Sequence, residues 1–114
     1  MELLTIITFY WMTKIKFGAI ISYFGIVGII FSKAINSEEK SEFIDFHFRQ
    51  AFLLSIIILC LNFFNYSLDN SIFRTIIWSI SIVFKCIGIY YAYNNEQKNI
   101  PIIGEYAQKW FKNL

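Results

Sequence analysis

An all-α integral membrane protein is the fold class this sequence predicts, and three observations predict it. Of the 114 residues, 57% are apolar, 20% are aromatic and only 16% are charged, whereas soluble domains carry roughly 25% charge. A chain this short has a high ratio of surface to volume, so in water it would need more polar surface than average. The apolar residues also gather into runs approaching the roughly 20 that cross a hydrocarbon core, with no convincing period-2 runs to argue for a barrel. The expectation is a single membrane domain over 1–114 with three transmembrane helices and a short amphipathic C-terminal helix.

Residues 1–11 are apolar but about half the crossing length. Glu2 is their sole charge, so they lack the basic start of a secretory signal. Met12 followed by "TKIKFGAIISYFGIVGIIF" reads as a natural start. Residues 1–11 are then either a mis-annotated extension or an extra helical turn at the interface. The first span is expected at about 17–35, with Lys33 snorkelling to lengthen it. Gly18, Gly25 and Gly28 fall on one face of that helix, where small residues let a neighbour approach.

The charged stretch "NSEEKSE", 36–42, reads as a loop, with Asn36 and Glu39 spaced as a capping box for the next helix. A second span is expected at about 48–66, then a turn-rich break in "NYSLDNS", 65–71. The third span, about 72–93, carries Arg74 near one end and Lys85 inside. After "NNEQKN" come Pro101 and Gly104. In the tail, 103–114, Ile103, Tyr106, Ala107, Trp110, Phe111 and Leu114 recur at helical spacing opposite Glu105, Gln108, Lys109 and Lys112. This amphipathic pattern suits either the headgroup zone or the protein's own helices.

A net charge of +2 with scattered basic residues argues against nucleic acid as a partner. The expected partners are the lipid bilayer and a second copy or another membrane protein. Cys60 and Cys86 sit inside apolar runs and read as small core hydrophobes. With one histidine and no nucleophile motif, no enzymatic activity, metal or cofactor is expected.

The polar residues His47, Arg49 and Gln50 at the lip of the second span have two readings. They are a binding corner, with Arg49 gripping a lipid phosphate or a partner carboxylate, or an interface anchor whose charged heads reach water. Lys85 costs about 2.5–3.5 kcal/mol inside a span. It either lines a pore or relay, or snorkels or bonds Asn62 or Ser79.

From "SEFIDFHFRQAF" onward the chain resembles short bacterial membrane proteins of an uncharacterised domain family. That family is distantly similar to the chloroplast protein-import component of the inner-envelope translocon (Tic, twenty-kilodalton type). The likeness rests on His47, Arg49 and Gln50 as His-x-Arg-Gln, and on Pro101, Gly104 and Glu105 as Pro-x-x-Gly-Glu. It implies a multi-pass protein of the bacterial cytoplasmic (inner) membrane and a role as a structural or interaction subunit resembling an import component. The alternative is an oligomeric channel or small-solute transporter. Three spans would put Lys33, Lys40, Arg49, Lys98, Lys109 and Lys112 on one side and Lys14, Lys16 and Arg74 on the other. The charged loop and tail would then be cytoplasmic and the N-terminus outside.

Overall fold

The protein's computed structural model describes residues 2–114, without the side chains of Thr8, Phe9, Trp11 and Met12. Five helices follow in order: α1 Glu2–Ile21, α2 Gly25–Glu39, α3 Glu42–Leu68, α4 Ser71–Tyr93 and α5 Ile103–Trp110. No strand occurs among the described residues. Two helices, α3 and α4, are long and apolar enough to cross a membrane. Three were expected.

The stretch 17–35 accounts for the difference, because it folds back on itself. The Tyr23 and Phe24 N–H groups bond the carbonyls of Ile20 and Ile21, closing α1 tightly, and Ser22 Oγ donates to the Ala19 carbonyl at 2.6 Å. Gly25 follows at φ +82°, a left-handed conformation that side chains disfavour and glycine adopts freely. The chain then returns along α1, so that Lys14 Nζ meets Glu39 Oε1 at 3.1 Å. The three glycines therefore do not form one helix face. Gly18 admits Ile35 and Ile44, Gly25 turns the chain, and Gly28 lies over the Ile21 carbonyl. Of the expected upstream extension, Met1 lies outside the described residues, and residues 2–11 are helical and continuous with the rest of α1.

The charged stretch 36–42 is mostly helix rather than loop. Helix α2 continues to Glu39 and ends where Lys40 turns left-handed. Ser41, not Asn36, caps α3, accepting the Ile44 N–H, and Glu42 and Asp45 in the first turn suit the positive end of the helix dipole. Asn36 ties the joint instead. Its Oδ1 accepts the Ser41 N–H, and its Nδ2 donates to Asp45 Oδ1, both at 2.6 Å. At the far end, the Asn65 side chain clasps the Asn70 backbone across the turn, its Nδ2 donating to the Asn70 carbonyl and its Oδ1 accepting the Asn70 N–H. Asn70 then caps α4 by accepting the Ile72 and Phe73 N–H groups.

The bundle has two tiers. In the first, α1, α2, the last turns of α4 and α5 surround the first half of α3. Its core joins Tyr23, Ala51 and Ile100 to Ile29, Phe84, Ile87 and Ile89. A second cluster joins Leu53, Leu54, Ile103 and Ala107 to Ile57, Ile58 and Phe111. The α1–α2 turn reaches only the level of Ser55, Leu59 and Lys85. Beyond it α3 and α4 pair with each other alone, leaving Leu59, Phe63, Phe64, Ile72, Ile76, Trp78, Ile80 and Val83 exposed. Cys60 and Cys86 are also exposed rather than in the core. At the opposite end, α1 carries on past the Lys14–Glu39 bridge with Leu3, Leu4, Ile6 and Ile7 exposed, and the molecule is 61 Å long.

Candidate functional site: a buried polar latch

Helix α3 presents His47 and Gln50 inward, one turn apart, and both are 0% exposed. A buried polar group needs partners, because leaving one unpaired costs about 1–3 kcal/mol. The partners come from two distant parts of the chain. Gln50 Nε2 donates to Tyr23 Oη at 3.1 Å, and Gln50 Oε1 accepts the Ile100 N–H at 2.6 Å. Tyr23 Oη lies 2.8 Å from His47 Nδ1, and His47 Nε2 lies 2.9 Å from the Glu96 carbonyl.

These contacts settle the protons. The Gln50 amide nitrogen only donates, so the Tyr23 oxygen accepts from it and sends its single hydrogen to His47 Nδ1. Nδ1 is then the bare nitrogen, and Nε2–H donates to the Glu96 carbonyl. His47 stands ahead of the uncharged stretch of α3 that begins at Gln50. Burial drives its pKa from the ordinary 6.5 down to about 4, against a smaller opposing pull from the Glu96 carbonyl. Phe43 and Phe46 enclose the ring edge-on at 4.9 and 5.3 Å. The imidazole is a neutral, fully bonded strut.

Two close approaches complete the latch. A Cβ on Gly88 would run into the Tyr23 ring, and one on Gly104 would run into Gln50 Oε1 and Asn99. Only glycine allows α4 and the segment 99–104 to come this near. The Pro101–Gly104 turn is further held by the Gly104 N–H on the Ile100 carbonyl at 2.9 Å. Pro101 and Glu105 are exposed.

Arg49 points to the other flank of α3. Its Nη1 donates to Glu42 Oε1 at 3.0 Å and to Gln108 Oε1 at 3.2 Å, and its Nη2 donates to the Lys112 carbonyl at 3.2 Å. Gln108 in turn donates to the Phe46 carbonyl. The guanidinium thus clamps α5 and the chain end to α3, and its side chain is only 11% exposed. Neither a lipid anchor with its head in water nor an open phosphate grip describes this corner. All three polar residues are engaged within the protein.

The tail divides by face. Ile103, Gly104 and Ala107 are buried against α3, and Phe111 meets Phe52 edge-on at 5.2 Å. Tyr106 and Trp110 meet at 5.2 Å with their rings tilted on the outer side and are 50% and 62% exposed. Lys85, on α4, lines a cleft of about 200 Å³ with Gly25, Ile26, Ser55, Ile58, Leu59 and Trp78. It does not bond Asn62, whose amide donates to the Ile58 carbonyl.

Tyr23 is the site residue the sequence reading overlooked. A signal was present in the polar pair Ser22–Tyr23, separated from Gly25 by Phe24 alone, inside an apolar run. The Glu96, Lys98 and Ile100 backbone groups carried no side-chain signal at all. Comparison of the chain with family models, curated proteins and solved structures gave no match.

Proposed function

We propose that this is a two-span membrane protein acting as a structural or interaction subunit of a larger membrane assembly, with the α1–α2 hairpin dipping in from the side that holds both termini. The observation that carries this reading is the two-tier surface. Tyr23, His47 and Gln50 are drawn into one latched end, while the distal half of α3 and α4 exposes Leu59, Phe63, Phe64, Ile72, Ile76, Trp78, Ile80 and Val83. A soluble monomer rarely tolerates so large an apolar patch, and hydrocarbon accommodates it. In the α1–α2 turn Ser22 and Tyr23 are covered by protein, at 0% and 2% exposed, and the exposed Phe24 presents an apolar ring, so part of the turn meets the rule that non-helical backbone at membrane depth is covered. An apolar groove lined by Phe17, Ile21, Phe24, Val27, Gly28 and Phe31 suits an acyl chain.

Two crossings instead of three change the topology. With only α3 and α4 crossing, Lys14, Lys16, Lys33, Lys40, Arg49, Lys98, Lys109 and Lys112 share one side, and Arg74 alone lies on the other. The positive-inside rule then favours both termini in the cytoplasm. The inner membrane of a bacterium, and likeness to an import component, belong to this proposal through the motifs His47-x-Arg49-Gln50 and Pro101-x-x-Gly104. The two native cysteines provide the test. In intact vesicles, Cys60 and Cys86 should resist a water-soluble maleimide and react after detergent, while reporters fused at either end register the same side. Free labelling in vesicles, or reporters on opposite sides, overturns the reading. The channel alternative draws on Lys85, and a liposome flux assay comparing wild type with Lys85→Leu distinguishes it.

A further inference from the structure

Lys85 is the one basic residue between Arg74 and Lys98, and among the described residues it makes no hydrogen bond or ion pair. Its surroundings in the cleft are otherwise apolar except for Ser55. Helical side chains lean toward the N-terminus of their own helix. Trp78, seven residues earlier, lines the same cleft as Lys85, so this lean keeps the Lys85 side chain within the cleft. The amine is therefore directed away from the nearer end of α4 at Tyr93.

The rise of about 1.5 Å per residue puts the Lys85 Cα roughly 12 Å from Tyr93 and 21 Å from Ser71. A lysine side chain about 6 Å long, leaning toward Ser71, brings the amine to about 15–18 Å from either end, near the middle of a hydrocarbon core about 30 Å thick. Snorkelling to the closer headgroups would need the opposite lean. A lipid phosphate is thus out of reach, and the cost of an intramembrane charge calls for an acidic partner at the same depth.

We infer that the Lys85 cleft, at the tip of the α1–α2 hairpin, receives the carboxylate of an Asp or Glu from a membrane-spanning helix of a different protein. A second copy of this chain does not supply it. There is no acidic residue from Phe46 to Leu68 or from Asn70 to Asn95, so no carboxylate of this sequence lies at that depth. The inference rests on the two-span reading and names the chemistry of the partner that reading requires. Gly25 leaves the cleft mouth open, with no neighbouring atom where its Cβ would stand, and Trp78 offers an indole wall beside the incoming helix.

The test reconstitutes the full chain in phosphatidylcholine vesicles with leucine-rich membrane-spanning peptides bearing one central Glu, Gln or Leu. Association is read by energy transfer. Wild type should hold the Glu peptide on the order of fivefold more tightly than the Gln peptide, the scale of one interhelical polar contact. Lys85→Arg should keep the preference and Lys85→Met should abolish it while retaining wild-type helix content by circular dichroism. Equal binding of the three peptides by wild type, or a Glu preference that survives Lys85→Met, overturns the inference. A Lys85-dependent chloride flux without peptide preference does so too, by assigning the cleft to an ion path. Flotation and alkaline extraction of the same vesicles separate the two failures. A protein that resists extraction yet shows no preference refutes only the acidic partner, and one that washes off refutes the membrane reading with it.

Discussion

Gly104 abuts the Gln50 side chain so closely that a single added methyl group would collide with Gln50 Oε1, the same oxygen that accepts the Ile100 N–H. Residues 54 positions apart are thereby fitted to one another, and the start of α3 and the entry to α5 form one object. Gly104→Ala should force the two apart at a cost of about 1–3 kcal/mol. The expected readout is a lower melting temperature in detergent and faster proteolysis within 94–114. Glu105→Ala, at an exposed neighbour, should leave both unchanged.

Tyr23→Phe removes one hydroxyl from the middle of the latch. It leaves His47 Nδ1 without its donor and Gln50 Nε2 with only the long 3.5 Å contact to the Lys98 carbonyl. The expected destabilisation is about 1–3 kcal/mol, measured by thermal unfolding in detergent. An unaltered transition would mean the network is dispensable.

The latch also sets a pH dependence. His47 has a folded-state pKa lowered to about 4 from 6.5, so below about 6.5 the unfolded chain takes up a proton that the folded chain refuses. Stability from this group is complete above that pH and declines as pH falls toward about 4. Between pH 7.5 and 5 this is the chain's single histidine titrating. Wild type should lose melting temperature over that interval, and His47→Gln, though less stable at neutral pH, should show a flatter profile.

Arg49→Lys should behave like Arg49→Ala rather than like wild type. One guanidinium reaches Glu42, Gln108 and the Lys112 carbonyl with two separate nitrogens, and an ammonium on a flexible stem cannot reproduce that planar fork. The loss is about 1 kcal/mol, visible as early cleavage after Ile103. Retention of the tail in Arg49→Lys would assign the clamp to charge alone.

The two aromatics at the end of α5 should separate cleanly. Phe111→Asp breaks the edge-on contact with Phe52 and should free the tail to protease. Trp110→Asp alters only the outer face and should leave the tail docked, while weakening its contact with headgroups. The share of tryptophan quenching by brominated lipids that is lost between wild type and Trp110→Asp measures how closely Trp110 meets lipid, and no difference would leave it without that contact.

Much of the architecture was legible from local signals. The limits of α4 were expected at 72–93 and found at 71–93, because a long apolar helix between Asn-rich turns leaves little choice. The tail helix began at Ile103 as its periodicity required. The first span was misjudged because hydropathy counts residues and ignores direction. Ser22, Tyr23 and Gly25 turn a run of adequate greasiness into two short helices. At the site, the structure parts the three polar residues, His47 and Gln50 facing the latch and Arg49 the α5 flank, and covers all three with protein where the sequence suggests exposure. Whether a polar side chain at a helix lip faces water or protein depends on what packs there. Here that is Tyr23 from a hairpin not foreseen and backbone carbonyls that any residue could have supplied.

The shortness of the α1–α2 hairpin has a mechanical result. On the proposed two-span reading, four helices displace lipid in the leaflet beside the termini, whereas only α3 and α4 do so in the opposite one. The difference is roughly two helix cross-sections, each about 10 Å across. Such a wedge crowds one monolayer more than the other, and the strain is relieved where the crowded monolayer lies on the outside of a bend. The protein should therefore collect on curved membrane, with the broad end in the convex leaflet.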